Sequence, residues 1–321
     1  MGALGFVPQI LATPKQGRTQ SSRGLELDDL IHIDLDGAWD AAALDAAVGG
    51  IRTLDYRDSG PKLRYFCTRG AIDELDRQLP RPPPRFIVYG SGDFHHLSGL
   101  WVRRAAASLQ NGSHLMLVSF DNHPDWDVRP PRWGCGGWIN RALELPGVEK
   151  AHVWGCGNFE PAWPARLFAN HAALKSGRLV IHPWAERQKP QVQRRFVCMT
   201  RDDWRRQFET FATSVANTNV YVTVDLDCLA ADQAVTNWES GLFTAEDIAW
   251  AIRQLRSNAN LIAADICGAY SPTLARGVFR RLAIWWDHPK LPPTSLFAAR
   301  QVNNAALRII LPALEASAQG R

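Results

Sequence analysis

Two phrases of this chain place metal-binding side chains at alternate positions directly after apolar runs. Leu117-Val-Ser-Phe-Asp-Asn-His-Pro-Asp125 spaces Asp121, His123 and Asp125 by two, and Val220-Tyr-Val-Thr-Val-Asp-Leu-Asp227 does the same for Asp225 and Asp227. A strand sends alternate side chains to one face, so each set can start from one side of a strand end. Gathering the four carboxylates gathers four negative charges, whose burial is prohibitive unless cations neutralise them. Two divalent cations match that charge. A third phrase, Phe86-Ile-Val-Tyr-Gly-Ser-Gly-Asp-Phe-His-His96, ends another apolar run in a glycine-rich turn, and either His95 or His96 can complete the set. Carboxylates with one or two imidazoles suit Mn²⁺ better than the thiolate-rich sites Zn²⁺ often takes, so two Mn²⁺ per chain are expected. Such a pair lowers the pKa of a shared water and stabilises charge growing on a planar carbon under attack, which is the chemistry of hydrolysis.

Positioning these groups falls to short runs rich in Val, Ile and Leu that recur between longer helix-compatible stretches. Strands are expected at 30–35, 85–90, 115–120, 151–154, 178–181, 196–199, 220–224 and 261–266, and helices at 96–109, 161–174, 202–216, 244–257 and 302–316. Thr244 before Ala-Glu-Asp is a helix start, its hydroxyl capping free amides while Glu246 and Asp247 face the positive end of the dipole. Strands of four to seven residues alternating with helices predict a three-layer α/β/α sandwich around a mainly parallel, doubly wound sheet. Ligands of such sheets bind beyond the carboxyl ends of the strands, where all three phrases end. Residues 1–24 are expected to form a mobile N-terminal segment and 25–321 a single domain, with Pro80–Pro84 leading into a strand rather than marking a boundary.

Composition narrows the partners. The 36 Lys and Arg against 32 Asp and Glu leave a formal charge of +4, scattered without a basic run, which argues against a nucleic-acid partner. The six cysteines form no C-x-x-C pair and no compact framework, as expected of free thiols in a reducing cytoplasm. The apolar stretch from Met1 to Ala12 has no early basic region and is interrupted by Pro8, so it is not read as a signal peptide; no apolar run is long enough for a membrane span. A small-molecule substrate remains.

Gly92-Asp-Phe-His-His96, Asp121-Asn-His-Pro-Asp125, and Thr223-Val-Asp-Leu-Asp227 followed by Glu239-Ser-Gly-Leu-Phe-Thr244 resemble, in order and spacing, the signature segments of the arginase and agmatinase (ureohydrolase) family, across residues 85–272. The resemblance implies an arginase-like fold, a dinuclear Mn²⁺ cluster with a bridging hydroxide, and cleavage of a C–N bond in a guanidino or amidino compound. It implies that Asp121 and Asp225 bridge both ions, that Asp125 and the first-motif histidine hold one, and that His123 and Asp227 hold the other. Phe94 separates Asp93 from the histidines where the family has Asp-His, so His95 and His96 both stand as ligands, His95 preferred. Homo-oligomers are common in the family, and a homo-oligomer is one expectation here.

The chain departs from the family at its helper residues. Asp265-Ile-Cys-Gly268 puts glycine where the family carries its guanidinium-binding Glu, Cys135-Gly136 replaces a His-Gly dipeptide, and Leu229-Ala-Ala-Asp232 replaces an Asp-Pro. Without that carboxylate the bidentate grip that separates a guanidinium from a neutral amide is lost. Glu239 and Cys135 therefore join Asp125 as candidate catalytic groups. Trp126, Trp133, Trp138 and Trp238 fall on the same loops and can line a pocket or fill loop packing. An amidase or deacetylase-like hydrolase on the same metals, and a non-catalytic binding protein, are the competing readings. Ile33-Asp-Leu-Asp-Gly-Ala38 also resembles the Asp-x-Asp-Gly motif of haloacid dehalogenase-like phosphatases. That reading leaves Asp121 to Asp227 unexplained, so Asp34 and Asp36 are read as loop carboxylates.

Overall fold

The structure, a computed structural model, describes Met1 and residues 29–315 apart from Asn111 and Arg132. The segment 1–24 thus lies outside the described residues but for Met1. Eight strands form one sheet: β1 (Leu30–Asp34), β2 (Arg52–Asp55), β3 (Phe86–Tyr89), β4 (Leu115–Phe120), β5 (Val148–Trp154), β6 (Leu179–His182), β7 (Asn219–Asp225) and β8 (Asn260–Cys267). Their order is β2-β1-β3-β8-β7-β4-β5-β6, and every neighbouring pair is parallel. After β3 the chain skips two places to lay down β4, and β7 and β8 later fill the gap. Loops far apart in sequence therefore meet over the ends of β3, β8, β7 and β4.

Seven helices of eight or more residues among the described residues are α1 (Ala41–Val48), α2 (Arg69–Gln78), α3 (Ser98–Ser108), α4 (Trp204–Ser214), α5 (Ala245–Asn258), α6 (Val278–Asp287) and α7 (Leu296–Glu315). One face of the sheet packs Phe86, Val88, Val118, Val222 and Val224 under α1, α4, α5 and α7. The other packs Ile31, Ile87, Leu117, Val153 and Tyr221 under α2, α3 and the short helix Trp138–Leu143. The result is the expected three layers. Central strands buried on both faces read as continuous apolar runs, which is why β4 and β7 were plain in the sequence.

Where the elements differ from expectation, local chemistry explains the difference. The run 196–199 forms no strand: only Met199 bridges Trp184, and Val197 stays exposed beyond the sheet edge. The stretch 161–174 is not one helix but a 3₁₀ turn, Ala165–Phe168, and a short helix, His171–Lys175. Pro164, lacking an N–H, precedes the first, and Asn170 caps the second by accepting from Ala173 N at 3.0 Å. Helix α7 starts six residues before the expected 302, where Ser295 Oγ accepts from Ala298 N. At α5 the capping box is complete: Thr244 Oγ1 accepts from Asp247 N at 3.1 Å, and Asp247 returns a carboxylate oxygen to Thr244 N at 3.0 Å. No helix of the described residues is long and apolar enough to cross a membrane.

Candidate metal centre

Strand register brings the phrases together. Phe120 pairs with Val224 and Cys267 with Asp225, so the residues that close β4, β7 and β8 stand side by side at the carboxyl edge. His95 arrives from the 3₁₀ turn Gly92–Leu97 that follows β3. Three nests of donor atoms result, two of them sharing a carboxylate and the third formed by His95, Asp225 and Cys267. Of the two that share, His95, Asp121 and Asp125 form one and Asp121, His123 and Asp227 the other; each set of atoms lies within 4.8 Å of one another. Asp121 belongs to both. Asp225 stands beside the first, its Oδ2 3.4 Å from His95 Nδ1.

The hydrogen-bond network fixes what His95 can offer. Thr223 Oγ1 donates to Asp265 Oδ1 at 2.8 Å and so accepts from His95 Nε2, 3.1 Å away. In the neutral ring, Nδ1 is then a bare lone pair. It faces Asp125 Oδ2 at 3.0 Å, Asp121 Oδ2 at 3.1 Å and Asp225 Oδ2 at 3.4 Å. Lone pairs converging on one point repel unless a cation sits among them. His123 repeats the theme, its Nδ1 2.9 Å from Asp227 Oδ2 and 3.5 Å from Asp121 Oδ1. The donor set fits two divalent ions, with Asp121 positioned to face both.

The carboxylates are held in place as ligands are. Trp138 Nε1 donates to Asp125 Oδ2 at 2.6 Å, Asn122 N to Asp227 Oδ1 at 3.1 Å, and His123 N to Asp121 Oδ1 at 2.7 Å. Asp125 adopts φ +45°, a left-handed conformation that Asp tolerates better than most residues and that turns its carboxylate back toward His95. Replacing Trp138 by Phe should weaken the ion beside Asp125 by about 10–100-fold, as loss of an orienting partner does. The ion beside Asp227 should be unaffected. Metal titration against a competing chelator resolves the two, and equal weakening at both would contradict the assignment.

Without metal, burial first and neighbouring charge second raise Asp125 to about 7 and Asp225 to about 8, and burial with the Asp121 charge raises Asp227 to about 6. Burial disfavours charge on His95 and His123, but the facing carboxylates outweigh it and raise both well above the usual range. A group whose folded pKa is raised contributes stability that is complete below its unfolded pKa and is lost as pH rises through the folded value. Asp121 goes the other way: despite burial its histidine neighbours lower it, and its contribution is already complete above about pH 5. The metal-free protein therefore loses stability from about pH 4 up to about 8 as these carboxyls ionise, the same ionisation that frees them to bind ions. The gap in Tm between metal-loaded and metal-free protein should widen across that window; a gap that narrows would overturn the electrostatic account.

The centre forms the floor of a cleft of about 300 Å³ lined by Tyr65, Trp126, Phe159, Glu160, Phe168 and Trp238 among others. Trp126 and Trp238 thus line the pocket, Trp138 is buried holding Asp125, and Trp133 packs against Gly99. His95, not His96, meets the carboxylates; His96 is buried in the turn, its pKa driven to about 3 by burial and then by the His95 charge. Glu239 Oε2 lies 3.4 Å from His123 Nε2, at the rim and part-exposed, and its pKa is lowered by that contact. Cys135 lines the cleft, and burial raises its thiol well above the ordinary range. Gly268 cannot carry a side chain as the backbone stands: at φ +98° a Cβ would fall 2.1 Å from Asp225 Oδ1. Asp36 accepts from Arg64 and Ser271, and Asp34 from Gly37 N, as loop carboxylates do.

Sequence reading missed Glu160. It is half-buried on the loop after β5, yet its Oε2 is fully buried without a hydrogen-bond partner among the described residues, and it lines the cleft. No motif marks it, since its place depends on how the broken stretch 161–174 folds back over the site.

No family model matches the chain. An uncharacterized protein of Thermotoga maritima is 25% identical over 211 residues, covering 65% of this chain and 68% of that one. Among solved structures, formimidoylglutamase from Bacillus subtilis superposes with a TM-score of 0.53 at 14% identity, covering 96% of this chain and 97% of its own. Proclavaminate amidino hydrolase from Streptomyces clavuligerus gives 0.52 at 14%, covering 92% and 94%, and a hypothetical agmatinase from Burkholderia thailandensis gives 0.51 at 18%, covering 89% and 86%. The eight-stranded parallel sheet, its strand order and its covering helices are thus those of the arginase-like α/β/α fold, which this chain shares at low sequence identity with ureohydrolase structures.

Proposed function

We propose that the chain is a dinuclear metal hydrolase that cleaves a C–N bond of a small guanidino or amidino molecule. The observation that carries this reading is the pair of donor nests sharing Asp121 on the floor of an open cleft. His95, Asp121, Asp125 and Asp225 would hold one ion and Asp121, His123, Asp225 and Asp227 the other, the second set, of carboxylates and one imidazole, suiting Mn²⁺. Bound there, the ions would lower the pKa of a captured water and polarise the carbon it attacks.

The chain's own residues supply the rest. Glu239, whose Oε2 lies 3.4 Å from His123 Nε2 at the rim, can take up the proton released as water attacks and return it to the leaving amine, while His123, its Nδ1 turned toward the ion, donates its Nε2–H to Glu239. Trp238 packs edge-on against His123 at 5.3 Å and limits its swing. Phe159, Phe168 and Trp126 give the cleft apolar walls suited to an alkyl stem. Of the carboxylates on the outer wall, Asp127 is taken by Arg129 and Asp287 by Tyr65, which leaves Glu160 for a cationic group of the substrate. Burial raises Glu160 to about 8, and a bound cation would bring it back to the ionised form.

Release of urea, ammonia or formamide from a panel of guanidino, formimidoyl and amide compounds by Mn²⁺-loaded protein tests the activity. Glu160→Gln should raise KM for cationic substrates about tenfold or more while leaving kcat within a few-fold, because a lost charge-assisted hydrogen bond is worth roughly 1.5–3 kcal/mol. No turnover across the panel by protein holding two ions would favour a binding role for the cleft.

A further inference from the structure

We propose that Cys267 supplies a thiolate to the ion held by His95 and Asp225, so that this half of the pair selects a thiophilic divalent cation, Zn²⁺ or Co²⁺, over Mn²⁺. The inference rests on the reading of the centre as a metal site and deepens it.

Register makes the case. Cys267 is the residue of β8 paired with Asp225 of β7, and residues level with one another on neighbouring parallel strands send side chains to the same face. Its Sγ lies 3.5 Å from Asp225 Oδ2, which in turn is 3.4 Å from His95 Nδ1, and the three donor atoms fall within 4.8 Å of one another. Metal–sulfur bonds of about 2.3 Å and metal–oxygen bonds of about 2.0–2.2 Å at tetrahedral angles put sulfur and oxygen about 3.5 Å apart. Of the six cysteines, all of them described, Cys267 is the one grouped with donors of the centre.

The thiol is enclosed, within hydrogen-bond reach of Tyr89 as well as Asp225. Cys267 is fully buried, and Gly268 beside it leaves the strand at φ +98°, keeping the space over Asp225 clear of a Cβ. On binding, the ion replaces the thiol proton, which passes to solvent; one metal–sulfur bond forms, one S–H bond breaks, and no electron is transferred. A soft donor in one nest and an all-oxygen-and-nitrogen set in the other makes the pair chemically unequal. The nest of His123 and Asp227 keeps its preference for harder ions.

Co²⁺ titration of the wild-type chain, followed by absorption and elemental analysis, tests the assignment. A sulfur-to-Co²⁺ charge-transfer band in the near ultraviolet should appear with the visible ligand-field bands, vanish in Cys267→Ser and persist in Cys228→Ser. Zn²⁺-over-Mn²⁺ preference at that position should fall about tenfold or more in Cys267→Ser, a direct ligand mattering at least as much as its supporting partners. Should that variant fail to fold, X-ray absorption at the zinc edge of the wild-type protein gives the same answer through a sulfur neighbour at about 2.3 Å. Ligand-field bands with no charge-transfer band, or a zinc shell of nitrogen and oxygen alone, would overturn the thiolate and leave the carboxylate–imidazole centre standing. Absence of any bound ion would overturn both.

Discussion

Asp121→Asn is expected to abolish loading of both ions, whereas Asp125→Asn and Asp227→Asn should each retain about one per chain. The asymmetry follows from position. Asp121 presents Oδ2 to His95 and Oδ1 to His123, so each nest loses an anionic donor when its carboxylate becomes an amide. Asp125 meets only His95, and Asp227 only His123, among the ion pairs of the centre. An amide oxygen remains in the variant, but it carries no full charge to offset the ions, and its NH₂ group would face them. Elemental analysis after dialysis against Mn²⁺, read beside catalytic turnover, distinguishes the three variants. Two ions retained in Asp121→Asn would show that the nests do not share this carboxylate. Activity should follow the metal count to background in Asp121→Asn, because a single ion cannot both activate water and stabilise the growing charge as a pair does.

Much of this cluster could be read from the sequence because its donor side chains are local. Asp121, His123 and Asp125 lie within five residues after one apolar run, and Asp225 and Asp227 within three after another, so strand periodicity alone put each set on one face. The fold was readable for a similar reason: β4, β7 and β8 are largely buried and write themselves as mainly apolar phrases, broken in β8 by Asp265. What escaped depends on tertiary context. The edge strand β2 has only polar or half-buried positions, and nothing in Arg-Thr-Leu-Asp separates it from a loop. Helix α6 buries Ile284 alone, with Phe279, Trp285 and Trp286 exposed, so its pattern has no core face to announce it. The choice between His95 and His96 needed the hydrogen bond from His95 to Thr223, a contact across 128 residues. Glu160 needed the fold-back of a segment expected to be one helix.

Arg64→Met should destabilise the protein by about 3–5 kcal/mol, the cost of leaving buried charges without their partner. Arg64 has no exposed surface; its guanidinium donates to Asp93 at 2.7 Å, Asp36 at 2.8 Å and Ser271 at 2.7 Å, and it lies over the ring of Phe94. Despite burial, His288 and then Arg64 hold the Asp93 carboxyl below its usual range. Removing the guanidinium leaves Asp93 with His288, and Asp36 with Ser271 and backbone amides, but takes away the one cation the two buried carboxylates share, and Met offers neither a donor. The loss corresponds to a fall in Tm of roughly 6–15 °C for a chain of this size. By contrast, Arg57→Met, which breaks the Arg57–Asp55 pair with both side chains 60% exposed, should leave stability nearly unchanged. The consequence reaches the metals. Asp93 sits in the same 3₁₀ turn as His95, so a network anchored on Arg64 sets the angle at which His95 approaches Asp121 and Asp125. Arg64→Met should therefore weaken the His95-side ion more than the His123-side ion, and Arg64→Met combined with Asp36→Asn and Asp93→Asn should recover part of the lost stability without restoring that ion. A Tm within about 2 °C of wild type, or equal weakening of both ions, would show that the turn holds its shape without the network.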